Sequence, residues 1–289
     1  MKETLWFDIA APLVVLVPFL GLLAAGLSRR TDPVIRGDRI LRHDGPARLA
    51  HWSHALGTLM LLVSGIILGT RFTPSFVTTS EMSALWFNVH FVFALLFLFG
   101  TFYWLGNTLI SRHRFREHLP NRHALSSILN HYGSLLHIKG CKMPEEEKYF
   151  ESERVAFIMA LLAAGLVGLS GLVKVAARLV SLPEAFMNAT TWVHDGAAAL
   201  MLLFFLAHIF FGALIPMAWK AFPSMITGYI GLKDAEEEYS AWVRELKTAE
   251  ALPAREGQSP ADADTGHEDT KGAGDSENTG DAGRPLPAS

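Results

Sequence analysis

The chain has 289 residues, of which half are hydrophobic, and its mean hydropathy is positive. This composition argues against a soluble globular protein. The formal net charge of −3 owes much to an acidic C-terminal segment and therefore gives no indication of what the folded part binds.

The apolar residues cluster into long runs, each near the roughly 20 residues that a membrane-spanning helix requires. These runs lie at about 7–27, 49–69, 85–110, 155–177 and 192–219. The sequence therefore predicts an all-α integral membrane bundle of five transmembrane helices. We expect the first run to be a retained helix, because acidic residues lead it and Arg29 and Arg30 follow it, the reverse of the charge order in a cleaved signal.

The predicted loops differ in positive charge. Residues 28–48 and 111–153 are rich in Arg and Lys, whereas the other two loops carry Arg71 and Arg178. Because basic loops stay in the cytoplasm, we expect a periplasmic N-terminus and a cytoplasmic C-terminus in a bacterial inner membrane.

Three regions follow from this organisation. Residues 1–48 form an N-terminal helix and a basic loop, residues 49–246 form a four-helix core with a short cytoplasmic helix, and residues 247–289 are predicted to be a disordered cytoplasmic tail. The single cysteine, Cys141, excludes an iron-sulfur cluster held by this chain alone, an internal disulfide and a CxxCH haem attachment.

Five histidines fall within the apolar runs, where an ionisable group is costly and usually faces a partner inside the bundle. They are His51, His54, His90, His194 and His208. His194 and His208 are fourteen residues apart, a rotation of about 1400°, or nearly four helical turns, and an advance of about 21 Å. Both imidazoles therefore face one way at two depths.

The predicted topology pairs these histidines by depth: His90 with His194 near the periplasm, and His51 with His208 near the cytoplasm. Two bis-histidine pairs fit b-type haem, whereas zinc prefers four ligands at one point. The alternative is that each histidine only bonds to a neighbouring helix. His54 lies one turn from His51 on nearly the same face, so spacing alone leaves the choice between them open, and His54 could instead bond a carbonyl or approach a quinone.

Two further features have open explanations. Asp195, beside His194, is expected to be a solvated carboxylate at the water interface. Glycines in the second and fourth runs would allow close approach of either a helix or a haem face. These glycines are Gly57, Gly65, Gly69, Gly165, Gly168 and Gly171.

The stretch RLAHWSHALGTLMLLVSG resembles the first core helix of the cytochrome b (gamma) subunit of membrane-bound formate dehydrogenases, within the wider dihaem family that includes nickel-iron hydrogenase cytochrome b. The likeness continues through FNVHFVFALLFLFG, the Lys148–Tyr149 pair, the two histidines fourteen apart, SMITGYIG and AWVREL. It covers about 48–246 and is fairly specific as a set.

The resemblance implies two haem b groups whose axial ligands are His51, His90, His194 and His208, and it favours His51 over His54. It implies an electron-transfer and quinone-reducing subunit that does not itself oxidise formate. The implied partners are an iron-sulfur subunit and a molybdenum or tungsten subunit on the periplasmic side, membrane lipid and quinone, with no nucleic acid. The alternatives are a nickel-iron hydrogenase cytochrome b and a haem-free anchor.

The sequence also departs from that family. The run KYFESER replaces a Lys-Tyr-Asn-x-Gly-Gln run near the family's quinone site, so the contacts there are open; the candidates are Tyr149, Glu153, Arg154 and His208. The run DAEEEYSAW replaces a basic, histidine-rich stretch, and the N-terminal helix is additional to the four-helix pattern.

Overall fold

The structure is a computed structural model that describes residues 5–110 and 112–256. The chain is mostly helical. The first half contains α1 (Trp6–Ile9), α2 (Leu13–Leu27), β1 (Ile35–Arg36), β2 (Arg39–Leu41), α3 (Gly45–Leu68), α4 (Ser80–Ile110), α5 (Arg112–Glu117) and α6 (Ala124–Leu135). The second half contains α7 (Glu151–Ala176), α8 (Glu184–Ile209), a π-helix (Phe210–Leu214), a 3₁₀ turn (Pro216–Lys220), α9 (Pro223–Thr227), β3 (Tyr229–Gly231), α10 (Leu232–Glu238) and α11 (Ser240–Glu256).

Four helices are long and apolar enough to cross a membrane: α3, α4, α7, and α8 together with its π-helix. The predicted helical membrane bundle is therefore confirmed. The fifth, N-terminal helix is short, because α2 has 15 residues and so extends only about 22 Å, less than the roughly 30 Å of a hydrocarbon core. Helix α8 begins at Glu184 rather than near residue 192.

Glycines bring the first helices of the bundle into close contact. A Cβ added to Gly57 on α3 would lie 2.9 Å from the backbone of Phe97 on α4, and one added to Gly100 would lie 2.8 Å from the backbone nitrogen of His54. A buried cluster then joins α4 to the second pair of long helices through Phe97, Ala163, Ala164 and Met201. The four long helices thus share one core.

A small antiparallel sheet, in the order β1-β2-β3, ties the segment after α2 to the segment after α8. Gly37, with φ of 61°, begins the two-residue turn between β1 and β2. The sheet packs into a core with α10 and α11, formed by Ile40, Ile230, Ala235, Tyr239, Trp242 and Val243. We call this end of the bundle the inner end, and the end that carries residues 69–79 and 177–183 the outer end.

The sequence predicts a basic loop at 28–48 and a disordered tail from residue 247. The loop contains β1 and β2, which are too short to give a recognisable alternating pattern. Helix α11 continues to Glu256, and the rest of the predicted tail lies outside the described residues.

Candidate functional site

The first histidine pair lies at the inner end. His51 on α3 and His208 on α8 have ring centroids 6.1 Å apart, with the rings tilted by 54°. A metal bound by two imidazole nitrogens at about 2.0–2.1 Å from each would hold the centroids roughly 6 Å apart. The Trp52 ring meets His51 edge-on, and the Phe204 ring stacks on His208. The spacing of this pair therefore suits one metal held between the two rings.

His54 lies elsewhere, although it is only one turn from His51. Its ring centroid is 4.5 Å from that of Phe97 on α4, inside the close α3–α4 contact. Among the described ring contacts, it is His51 that meets His208. The structure thus separates two residues that helical spacing alone could not.

The second pair, His90 on α4 and His194 on α8, lies toward the outer end, and the two residues interact electrostatically. Each imidazole is bonded through Nδ1 to a serine on a neighbouring helix. The Nδ1 of His90 lies 2.8 Å from Ser64 Oγ, and the Nδ1 of His194 lies 3.0 Å from Ser170 Oγ. Both rings are therefore held by the same kind of contact.

The serines also determine which imidazole nitrogen carries the proton. Ser64 Oγ donates to Met60 O at 2.7 Å, and Ser170 Oγ donates to Leu166 O at 2.6 Å. Because a hydroxyl has a single hydrogen, each serine oxygen must accept from the histidine Nδ1–H. The Nε2 of each ring then keeps its lone pair and is able to bind a metal.

Two of the glycines flagged in the sequence lie beside the outer imidazoles. A Cβ on Gly65 would lie 4.0 Å from His90 Cε1, and one on Gly171 would lie 3.5 Å from His194 Cε1. Gly57 instead serves helix packing, and a Cβ on Gly165 would meet nothing within 4 Å. A side chain at position 65 or 171 would occupy the space next to an imidazole, where a planar ligand would lie.

The chemistry of the donor set fits haem better than a bare metal ion. Among the described residues, no group of three or more His, Cys, Asp or Glu side chains could hold a metal. Four of the described histidines of the bundle instead form two pairs. His51, His90 and His194 are partly accessible, and His208 is exposed. A haem supplies four of its own ligands to the iron and needs only two axial imidazoles.

The expectation for Asp195 is wrong. Its side chain is buried, and its Oδ2 accepts a hydrogen bond of 2.8 Å from the backbone nitrogen of Arg71. The carboxylate therefore holds the loop after α3 instead of facing water. The hydrogen-bond donor is a backbone amide of the loop, and the spacing of residues in the sequence does not reveal its position.

Polar and aromatic side chains gather at the inner end, between the long helices and the sheet. The Tyr149 ring centroid lies 4.7 Å from that of His118 and 6.1 Å from that of His43. Burial, and next the charge of Arg42, lower the pKa of His43 well below its usual value, so His43 is neutral at pH 7. The sequence did not single out His43 or His118, because both lie in segments that read as loops.

Arg42, which follows β2, and Tyr239, which lies between α10 and α11, hold this cluster in place. Arg42 donates through Nη1 to Tyr239 Oη at 2.9 Å and through Nη2 to Lys148 O at 2.8 Å. Burial raises the pKa of Tyr239 to about 12, so its hydroxyl stays protonated. Arg42 thereby connects Tyr239 to Lys148, the residue that precedes Tyr149.

The residues named for a quinone site have different surroundings. Arg154 is buried and paired with Glu147 and Glu151. Glu153 Oε2 accepts from the backbone nitrogen of Phe150 at 3.0 Å, which closes the first turn of α7. Tyr149 lies in the inner cluster, and His208 lies against His51.

This fold and these sites define a multi-pass membrane protein with histidine pairs between its helices. Residues 42–228 match the model of the prokaryotic cytochrome b561 family, and the chain belongs to that family. It is a membrane b-type cytochrome that acts in electron transfer and binds haem b. No curated protein matches the chain.

Proposed function

We propose that the chain is the dihaem cytochrome b subunit of a membrane-bound respiratory oxidoreductase, which anchors the complex and carries electrons from periplasmic iron-sulfur subunits to quinone. The observation that carries this proposal is the presence of two histidine pairs toward opposite ends of the bundle, with α8 contributing to both. Fourteen residues on α8 separate the pairs by about 21 Å, much of a hydrocarbon core.

In this proposal His90 and His194 hold the outer haem, and His51 and His208 hold the inner one. Haem supplies a one-electron carrier at each position. Ser64 and Ser170 fix the ring orientation at the outer position, while the aromatic rings of Trp52 and Phe204 support the inner one. The chain itself contributes position, insulation from water and tuning, and it does not oxidise formate.

The inner end is the proposed site of quinone reduction. A quinone takes up two electrons and two protons, so its site needs polar groups that connect to water. Tyr149, His43 and His118 offer such groups beside the inner pair, and Glu153 stands at the start of α7. The buried ion pairs of Arg154 give it a structural role next to this site.

Formate is the proposed electron source, delivered through a molybdenum or tungsten subunit and an iron-sulfur subunit. Hydrogen, delivered by a nickel-iron enzyme, is the second candidate, because its cytochrome b uses a similar bundle. A haem-free anchor does not agree with the family, because prokaryotic cytochromes b561 bind haem b.

The experiment that tests the proposal follows electrons through membranes that contain the whole complex. Formate, but not hydrogen, should reduce both haems and then quinone. In His208→Ala, formate should still reduce the outer haem while quinone reduction stops, because neither ligand of the outer haem is changed. Quinone reduction that survives the loss of the inner haem would contradict the proposal, and reduction by hydrogen alone would establish the second candidate.

Topology is tested separately. We propose that the outer end faces the periplasm, because the basic segments lie at the other end. Alkaline phosphatase fused after Leu246 should be inactive and a green fluorescent protein at the same place should fluoresce. The opposite result would reverse the sides of both sites.

A further inference from the structure

Lys174 lies close to the outer histidine pair, near the end of α7. It is one helical turn beyond Ser170, which bonds His194, and three residues beyond Gly171, which adjoins the same imidazole. Four residues extend about 6 Å along the helix axis, so Lys174 lies on the outward side of the pair. It interacts electrostatically with both His90 and His194.

Lys174 and the charged groups that interact with it comprise two cations and one carboxylate. Its Nζ donates to the neutral hydroxyl of Thr191 at 3.0 Å. The charged groups that interact with it are Asp195 and the cation Arg71. Asp195 already accepts from the backbone of Arg71. Lys174 itself lies in a helix that is apolar enough to span a membrane, a setting in which an ion requires a counter-charge, and the carboxylate near it is already engaged by that backbone amide.

We propose that the Lys174 ammonium binds a propionate carboxylate of the outer haem, an inference that rests on the proposed function. The propionates are the only anionic side groups of haem b, and they share one edge of the ring. A haem held by His90 and His194 would present its carboxylates at the level of Lys174 if that edge were turned outward. Lys174 thus orients the haem, and Arg71 adds to the positive field there.

The charge of Lys174 has an electrical consequence. A reduced haem carries one positive charge fewer than an oxidised haem, so a nearby cation favours reduction. Neutralising Lys174 should therefore lower the midpoint potential of the outer haem by about 59 mV. This shift corresponds to a change of about tenfold in the equilibrium constant for one-electron reduction. The inner haem lies about 21 Å away along α8 and should be almost unaffected.

The test compares Lys174→Gln and Lys174→Met with Lys174→Arg in the purified complex. The matched control is Arg178→Gln, which removes a cation at the same end that is already paired with Asp8. The readouts are potentiometric titration of each haem and the propionate bending band in the resonance Raman spectrum. We expect both neutral variants to lower the outer potential and shift that band, Lys174→Arg to preserve most of both, and Arg178→Gln to change neither.

Three results would overturn the inference: an unchanged outer potential, equal shifts of both haems, or a lowered potential with an unchanged propionate band, which would mean that Lys174 acts only at a distance. Wild-type protein without two haems would instead overturn the proposed function, so the two failures are distinguishable. If both neutral variants lose the outer haem while Lys174→Arg keeps it with a wild-type Raman band, the inference stands.

Discussion

The outer and inner histidine pairs use the same residue type but are supported in different ways. Each outer imidazole has a serine on Nδ1, whereas the inner pair lies among aromatic rings, and His51 Nδ1 is buried without a hydrogen-bond partner in the protein. An outer haem would be fixed in orientation by hydrogen bonds. An inner haem would be fixed by packing and would lie next to the polar cluster around Tyr149. In the proposed function, the surroundings and not the ligands would distinguish the site where electrons enter from the site where they leave.

The largest effect that distinguishes the pairs is loss of a haem. His51→Ala should remove the inner haem and leave the outer one, because His51 is the α3 ring that meets His208. His54→Ala, one turn away, should keep both, because His54 packs against Phe97. The measurement is the haem content of the purified variants. Loss of a haem in His54→Ala with both retained in His51→Ala would reverse the assignment on α3.

Filling the space beside an outer imidazole should remove only the outer haem. Gly171→Leu would place a side chain against His194, since the first added carbon already lies 3.5 Å from that ring. Gly165→Leu on the same helix is the control, because an added Cβ there meets nothing within 4 Å. We expect one haem in the first variant and two in the second by optical titration. Two haems in both would show that Gly171 serves only the packing of helices.

Removing a serine should change the outer potential without releasing the haem. A neutral hydrogen bond contributes about 1 kcal/mol, and for a one-electron couple this equals about 40 mV. Because an acceptor on Nδ1–H makes the imidazole a stronger donor to oxidised iron, Ser170→Ala and Ser64→Ala should raise the outer potential. This direction is opposite to that expected for Lys174→Gln. A lowered potential, or a shift confined to the inner haem, would contradict the assigned hydrogen bonds.

The smallest effect concerns His43 at the inner end and the dependence of protein stability on pH. Burial, then the charge of Arg42, lower the pKa of His43 well below the ordinary 6.5. Above pH 6.5 His43 is neutral in both the folded and unfolded states; below it only the unfolded state gains the proton, so stability is lost as pH falls. At about pH 5 the loss should approach about 2 kcal/mol.

This prediction is checked by comparing wild type with His43→Gln. Thermal unfolding in detergent at about pH 7.5 and about pH 5 should show a larger drop in midpoint for wild type, because the glutamine cannot take up a proton. Equal drops in the two proteins would indicate that His43 is already protonated in the folded state at the lower pH.

The long helices and the histidines could be predicted because both are local properties. Twenty or more apolar residues require a helix in lipid, and a spacing of fourteen on α8 places two rings on one face. The position of His54 could not be predicted, since it depends on how closely Gly57 and Gly100 let α3 approach α4. The sheet could not be predicted either, because its strands pair over a long distance in the sequence, as Arg39 does with Gly231.

A usable signal for the serines is nevertheless present. Ser64–Gly65 on α3 and Ser170–Gly171 on α7 are the same dipeptide, and in each case the serine bonds an outer imidazole while the glycine lies beside that ring. The glycines alone do not carry this signal, because each serine precedes its glycine directly. A serine followed directly by a glycine within a spanning helix therefore indicates a nearby, hydrogen-bonded histidine more specifically than a glycine alone.

The central claim is that each histidine pair holds its own haem b, and haem stoichiometry tests it most directly. A pyridine haemochrome assay on the purified complex, with the chain quantified by amino-acid analysis, should give two non-covalent b haems per chain. His194→Ala and His208→Ala should each give one, with the two remaining haems differing in midpoint potential. A wild-type value of one or none, or two remaining haems with the same potential, would contradict the account of two separately supported sites.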